Sequence, residues 1–194
     1  SWELLPDGDV GLRAPKGPVA DEHNLTALND GSLYCTYRSI EGHNCHAYSR
    51  DGGHTWDGPQ YATYTPGGQL IKHPRAANFV WKASNGRYLL WFHNNGTKWY
   101  NNGPDLGNRN VAWMCGGKEK DGYIHWSQPE IVLYAEKLVN GPSYPNFIED
   151  NDRYFITATQ KTVAAVHELD PKLLNGLWNQ SELNAVVEKG LIVS

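Results

Sequence analysis

The chain has 194 residues, of which 40% are hydrophobic and 20% are charged, and its formal net charge is −4. No basic stripe that would neutralise phosphates is visible, so the composition does not indicate nucleic-acid binding. No run of about 18 or more apolar residues is present, and the sequence therefore predicts no contact with a membrane. The 12% aromatic content, together with 20 Gly and 11 Pro, favours short strands joined by turns and predicts an all-β fold.

The cysteines and the first residues of the chain give predictions about cofactors and location. The spacing of the cysteines, at Cys35, Cys45 and Cys115, fits no zinc pattern, and the sequence indicates neither a metal nor another cofactor. The chain opens on SWELLPDGD, as a processed protein would, which favours a secreted or periplasmic location.

The first predicted unit covers about residues 20–64 and holds four strands. A strand, a turn and a second strand are predicted over 25–28 and 33–38, within the segment NLTALNDGSLYCTYRS that starts at Asn24. A third strand at 46–50 and a fourth at 55–61 complete the unit.

The turn between the third and fourth strands has the sequence YSRDGGHTWDGP. Asp-Gly-Gly supplies the positive-φ positions of a tight hairpin. The fuller pattern of Ser49, Asp51, Gly53, Thr55 and Trp56 resembles the Asp-box, the repeat of sialidase-like β-propellers. In that family the box is a structural turn between the third and fourth strands of a blade, so the resemblance implies a fold and not a catalytic role.

The first pair of strands recurs along the chain. NFVWKASNGRYLLWFH, from Asn78, and NFIEDNDRYFITATQK, from Asn146, share an Asn-Phe start, a polar turn and an Arg-Tyr before an apolar run. The repeats predict a second unit over about residues 73–135, with its first strands at 79–82 and 88–93, and a third unit over 143–178, with its first strands at 147–149 and 154–159. The third unit ends in a helical turn at 171–178, and a further strand is predicted over 185–194.

Two architectures use short strands of this kind. A β-sandwich has similar turn spacing but does not explain the recurrence of the same strand pair. The repeats favour a β-propeller of four-stranded blades, with about three to four blades in this chain. A closed ring of blades needs more than three. The remaining blades are therefore expected from missing sequence or from another chain.

Antiparallel strands bring one set of strand ends to a single rim. The first strand of each unit starts there and the second strand returns there, whereas the Asp-box turn falls on the opposite side. The candidate catalytic residues at this rim are His73, His93 and Glu22, and the candidate substrate-binding residues are His23, Arg38, Arg75, Asn94, Asn95, Arg109, Asn110, Tyr144 and Lys161. Imidazoles and amides pair with hydroxyls and an arginine fork holds a carboxylate, which predicts a site for an acidic or hydroxyl-rich sugar.

The Asp-box, the repeats and segments such as HPRAANFVW make most of residues 20–170 similar to bacterial sialidases. In that family three arginines hold the substrate carboxylate, a glutamate activates a tyrosine nucleophile and an aspartate is the acid. The resemblance implies a carbohydrate-active site at the rim. The family's Arg-Ile-Pro motif is not matched at 22–24, and sequence alone assigns no Tyr-Glu pair.

Three functions fit this pattern. The first is an exo-acting glycoside hydrolase, which we place ahead of the others. The second is a lyase on uronic-acid polymers, for which a histidine of near-neutral pKa is a suitable base. The third is a non-catalytic sugar-binding propeller, since a fold does not by itself confer an activity.

Overall fold

The structure of the protein, a computed structural model, describes residue 5 and residues 11–98, 109–136, 141–160 and 163–188. Within these ranges the strands form three open antiparallel sheets in chain order. The predicted β fold is thereby confirmed in its general form. No helix of the described part is long and apolar enough to cross a bilayer.

The first sheet has its strands in sequence order. They are β1 (Asp21–Ala27), β2 (Leu33–Arg38), β3 (Cys45–Ser49) and β4 (Gln60–Tyr61). The fourth strand was predicted from residue 55 but begins only at Gln60. The residues before it form a turn that is held by side-chain hydrogen bonds.

Asp51 closes the turn between β3 and β4. Its Oδ1 accepts hydrogen bonds from the Ser49 hydroxyl and the Thr55 N–H, each at 2.8 Å, and its Oδ2 accepts from the Thr55 hydroxyl at 2.6 Å. The Trp56 indole N–H donates to the carbonyl of Gly53, which has a φ of 100°. The residues of the Asp-box-like pattern thus bond to one another and hold the turn.

Replacing Asp51 with alanine should lower the melting temperature, because several turn donors lose their acceptor. These hydrogen bonds lower the pKa of Asp51 to about 2, the Thr55 hydroxyl contributing most. The stabilisation is therefore present above about pH 4 and is lost as pH falls towards 2. Thermal melts at pH 7 and pH 2.5 check this: wild type and variant should differ at pH 7 and converge in acid. An equal difference at both pH values would contradict it, and Asp51→Asn, which keeps one oxygen acceptor, should lie between the two.

The second sheet is built around a strand that is buried on both faces. Its strands are β5 (Phe79–Lys82), β6 (Tyr88–Phe92), β7 (Ala112–Lys120), β8 (Tyr123–Trp126) and β9 (Glu130–Leu133), and both β8 and β9 pair with β7. In β6, Tyr88, Leu90 and Phe92 join the core shared with the first sheet, whereas Leu89 and Trp91 join the core shared with the third sheet. This alternation explains the unbroken apolar run YLLWF.

The third sheet consists of β10 (Ser143–Asp150), β11 (Arg153–Gln160) and β12 (Val163–Leu169), and is followed by α1 (Pro171–Glu188). Asp170 caps the helix by accepting from the Lys172 N–H at 2.8 Å. The helical turn predicted over 171–178 thus extends to Glu188. The strand predicted from residue 185 is not found over 185–188, which are helical, and residues 189–194 lie outside the described ranges.

Leu174, Leu177 and Trp178 of α1 pack into the core between the second and third sheets. The Trp178 indole donates to the carbonyl of Tyr88 at 2.9 Å. A Cβ on Gly116 of β7 would lie 2.6 Å from the Leu177 backbone, so only glycine permits this approach of helix to sheet. The three sheets therefore stack in the order first, second, third, with α1 against the second.

Candidate functional site

The start of each first strand lies beside the end of its partner. Asp21 at the start of β1 pairs with Arg38 at the end of β2, and Ser143 at the start of β10 pairs with Thr159 near the end of β11. Side chains from these strand ends in the first and third sheets also meet one another. The structure therefore brings together part of the predicted set, with Glu22, Arg38 and Tyr144 in direct contact.

A matching bulge places two of these side chains. The pairing register shifts between Asp21 and Asn24 in β1, and between Ser143 and Asn146 in β10. Within the shifts, Glu22 has a φ of 53° and Tyr144 a φ of 48°. Left-handed backbone is unfavourable for residues other than glycine, and it concentrates where the structure holds functional side chains in place. The bulges direct both side chains towards a shared position.

Glu22 and Tyr144 form a hydrogen-bonded pair across the sheets. The Tyr144 hydroxyl donates to Glu22 Oε1 at 2.9 Å, and Arg38 Nη1 lies 2.7 Å from the same oxygen. Arg38 also donates through Nε and Nη2 to the two carboxylate oxygens of Asp21, at 2.6 and 2.7 Å. One guanidinium thus joins both acids, and one of them contacts the phenol.

The surroundings keep the Tyr144 hydroxyl protonated at neutral pH. Partial burial raises the pKa of Tyr144, and the hydrogen bond to the Glu22 carboxylate raises it further, while Arg38 and Arg109 oppose the rise. The side chain is nevertheless 50% exposed and remains open to a ligand. The phenol therefore has a carboxylate in contact that can take its proton.

Two further arginines lie near this pair. Arg109 Nη2 donates to the backbone carbonyl of Arg75 at 3.3 Å. The hydrogen bond from Arg38 lowers the pKa of Asp21 most, and the charge of Arg75 lowers it further. The charges of Arg38, Arg75 and Arg109 thus act on the same small group of acids and phenol. Within the described ranges, no three His, Cys, Asp or Glu side chains cluster as ligands of a metal would.

His73 and His93 lie beneath the site and are buried to 0% and 1% exposure. His73 Nδ1 accepts from the His93 N–H at 3.1 Å, and its Nε2 lies 2.7 Å from the Ala76 carbonyl oxygen, so the proton is on Nε2. His93 Nδ1 lies 3.2 Å from the Val111 carbonyl oxygen and carries a proton there. Burial lowers the pKa of His73 well below its ordinary value and that of His93 to about 4. These contacts fit neutral, structural imidazoles and not the catalytic bases predicted.

The neutral histidine in the core has a consequence for acid stability. In the unfolded chain His93 takes up a proton below about pH 6.5, whereas in the folded chain it stays neutral down to about pH 4. The free energy of unfolding should therefore fall as the pH is lowered between these two values. The slope is at most about 1.4 kcal/mol per pH unit for one such histidine. Urea titrations from pH 7 to 4.5 should show a shallower decline for His93→Gln than for wild type. An unchanged slope would contradict this, and His167→Gln on β12 serves as the control.

Three of the residues predicted to bind substrate, two asparagines and a histidine, contact other parts of the protein instead. Asn110 exchanges two hydrogen bonds with the backbone of Ala135, at 2.7 and 2.9 Å. Asn95 Oδ1 accepts from the Thr97 N–H at 3.2 Å, which is ordinary turn chemistry. His23 stacks on Tyr37 with ring centroids 4.9 Å apart.

His23 lines a pocket of about 300 Å³ on the face of the first sheet that carries Leu25, Cys35 and Trp56. The neighbouring Asn24 points to the opposite face, where its Oδ1 accepts from the Val80 N–H at 2.8 Å. Of the remaining predicted ligands, Asn94 follows β6 and is half-buried, and Lys161 lies outside the described residues.

Sequence reasoning missed Asp21 as a partner of Arg38 and did not join Glu22 to Tyr144. The sequence did contain a signal for the contact between Glu22 and Tyr144. Glu22 stands two positions before the repeat asparagine Asn24, and Tyr144 stands two positions before the repeat asparagine Asn146. The second repeat has Ala76 at that offset. Equivalent offsets in repeats predict equivalent places in the fold, so the two side chains were expected at one rim.

Comparison with known proteins shows which fold the chain resembles. No protein-family profile matches the chain, and no curated protein matches its sequence. Among solved structures, the NanB sialidase from Streptococcus pneumoniae superposes with a TM-score of 0.60 at 17% identity, over 84% of this chain and 25% of that one. The leech intramolecular trans-sialidase in complex with 2,7-anhydro-Neu5Ac gives a TM-score of 0.56 at 17% identity, over 81% and 24%.

The Trypanosoma rangeli sialidase in complex with sialic acid gives a TM-score of 0.51 at 14% identity, over 87% of this chain and 25% of that one. The chain has a sialidase-like fold. It spans about a quarter of the length of these sialidases.

Proposed function

We propose that the protein is part of a sialidase-like glycoside hydrolase, and that its three sheets are blades of a propeller completed by further sequence or by another chain. The observation that carries this proposal is the 2.9 Å contact between the Tyr144 hydroxyl and Glu22 Oε1. Nucleophile and base within hydrogen-bond reach are the hallmark of covalent catalysis. The sialidase-like fold and the arginines around the pair support a substrate that is an acidic sugar.

In the proposed reaction the Tyr144 oxygen attacks the anomeric carbon and the glycosidic C–O bond breaks. The phenolic proton moves to Glu22, with which it is already hydrogen bonded. The leaving-group oxygen takes a proton from an acid. Water then attacks the anomeric carbon and gives a proton to the conjugate base of that acid, while the glycosyl-tyrosine bond breaks and Glu22 returns its proton to the Tyr144 oxygen. Asp21 is poorly suited to be the acid, because its bond to Arg38 lowers its pKa.

The substrate carboxylate is assigned to the arginines. A guanidinium has five N–H donors. Arg38 uses two of them in hydrogen bonds to Asp21, and its Nη1 forms an ion pair with Glu22, so donors remain for a ligand. Arg109 and Arg75 supply further positive charge at the same rim. A carboxylate bound there lies next to the attacking phenol.

The lyase hypothesis loses its support in the geometry. It requires an accessible histidine base, and the two histidines predicted as catalytic, His73 and His93, are buried and neutral. Binding without turnover remains an outcome of the test.

A direct assay separates these functions. The chain is incubated with a fluorogenic α-sialoside and, separately, with a uronic-acid polymer, and both fluorescence and the absorbance of unsaturated uronide are followed. Hydrolysis predicts fluorophore release only, and a lyase predicts the uronide signal only. Calorimetric titration with sialic acid detects binding without turnover. A chain that gives none of these signals contradicts the proposal.

A further inference from the structure

Arg38, at the centre of the site, is held by Asp21, an acid that takes no part in the proposed reaction. The Arg38 side chain is only 12% exposed, and Asp21 occupies its Nε and Nη2 through a bidentate contact. Arg38 Nη1 then lies 2.7 Å from Glu22 Oε1, in an ion pair. We propose that Asp21 is a positioning residue, which fixes the Arg38 guanidinium so that Glu22 stays in contact with the Tyr144 hydroxyl. The role in catalysis rests on the proposed function, but the contact itself does not.

The register of the first sheet makes Asp21 suitable for this task. Asp21 and Arg38 are directly paired residues of β1 and β2, so the backbone sets the distance between them. A bidentate pair fixes the plane of the guanidinium as well as its position, which a single contact does not. The long arginine side chain thereby loses its freedom before any ligand arrives.

Asp21 also limits how strongly Arg38 competes for Glu22. Glu22 Oε1 accepts a hydrogen bond from Tyr144 and forms an ion pair with Arg38, while the Oε2 atom is buried and makes no hydrogen bond. Without Asp21, the Nε and Nη2 donors of Arg38 would be free to turn to Glu22. A two-point contact with Arg38 would then draw the carboxylate away from the phenol.

The charged groups that act on Tyr144 come from three elements. Glu22 on β1 raises the pKa of the phenol beyond the effect of burial, whereas Arg38 on β2 and Arg109 before β7 lower it. A loosened Glu22–Tyr144 contact should therefore be measurable as a fall in the pKa of Tyr144.

The test is a titration of the whole chain labelled with [13Cζ]tyrosine and followed by NMR without substrate. Tyr144→Phe identifies the resonance of Tyr144. We expect Asp21→Asn to lower the pKa of Tyr144 by the order of half a unit, and Glu22→Gln to lower it at least as much. In the Glu22→Gln background, Asp21→Asn should have no further effect, since the proposed action passes through Glu22.

Matched variants exclude simpler explanations. Glu168→Gln breaks the same bidentate arrangement with Arg153, at 2.8 Å for both bonds, on the exposed face of the third sheet, and should leave Tyr144 unchanged. Asp21→Glu retains the carboxylate and should restore the wild-type titration. If Asp21→Asn does not fold, Arg38→Lys keeps the charge, cannot bridge both acids as a fork, and should give the same fall.

An unchanged Tyr144 titration in Asp21→Asn, or an equal shift with and without Glu22, overturns the proposal. Because no substrate is present, the outcome does not depend on sialidase activity. Conversely, a chain without turnover whose Tyr144 titration responds as expected would refute the proposed function alone.

Discussion

On the proposed function, replacing Tyr144 with phenylalanine should abolish hydrolysis of a sialoside while the fold is retained. The substitution removes only the hydroxyl that contacts Glu22 Oε1, and the half-exposed ring contributes little to the core. Loss of a covalent nucleophile typically lowers kcat by roughly a thousandfold or more. Steady-state kinetics, with circular dichroism as the check of folding, measure the effect.

The control for this substitution is another partly exposed tyrosine. Tyr123 packs edge to face against Tyr48 and under the Arg50 guanidinium, beside the β7–β8 turn, and Tyr123→Phe should leave turnover unchanged. Turnover of Tyr144→Phe within a few-fold of wild type would remove Tyr144 as nucleophile. Weakened binding with a normal kcat would make it a binding residue only.

The second large effect is expected at Trp91, the largest of the fully buried side chains. It lies in the middle of β6 and packs in the core between the second sheet, the third sheet and α1. Trp91→Ala should cost about 3–5 kcal/mol, from lost burial and from the cavity left behind. Urea unfolding would show this as a lower midpoint with an unchanged slope.

Trp91→Phe is the matched control, since it keeps an aromatic ring and removes the indole N–H, which makes no hydrogen bond. We expect a smaller loss than for alanine, because an unpaired buried donor disappears together with part of the ring. A near-neutral Trp91→Ala would mean that the two sheets close over the gap or that this core contributes little to stability.

The fold was largely predictable because it depends on local patterns. β5 has the predicted bounds Phe79–Lys82, where alternation and the following Asn-Gly turn mark both ends. The boundaries missed were those set by tertiary contacts. β1 and β10 begin before their predicted starts because each contains a bulge, and α1 continues beyond residue 178.

Only the approximate location of the site was predictable from the sequence. Glu22, Arg38 and Tyr144 were all assigned to one rim, yet their pairing depends on how the three sheets are placed relative to one another, which no local pattern shows. The assignment of His73 and His93 as catalytic followed from their positions near strand ends. Their burial depends on packing against the loop at Ala76 and Val111, and only the structure shows it.

The contact between Glu22 and Tyr144 joins residues separated by 122 positions, with the entire second sheet between them in sequence. Contacts of such long range carry the largest loop-closure entropy and form late when a chain folds. A partly folded form, even one with the first two sheets in place, does not yet have the contact between Glu22 and Tyr144. The proposed catalytic pair therefore forms only together with the native state, and on the proposed function we expect misfolded forms of the protein to be inactive.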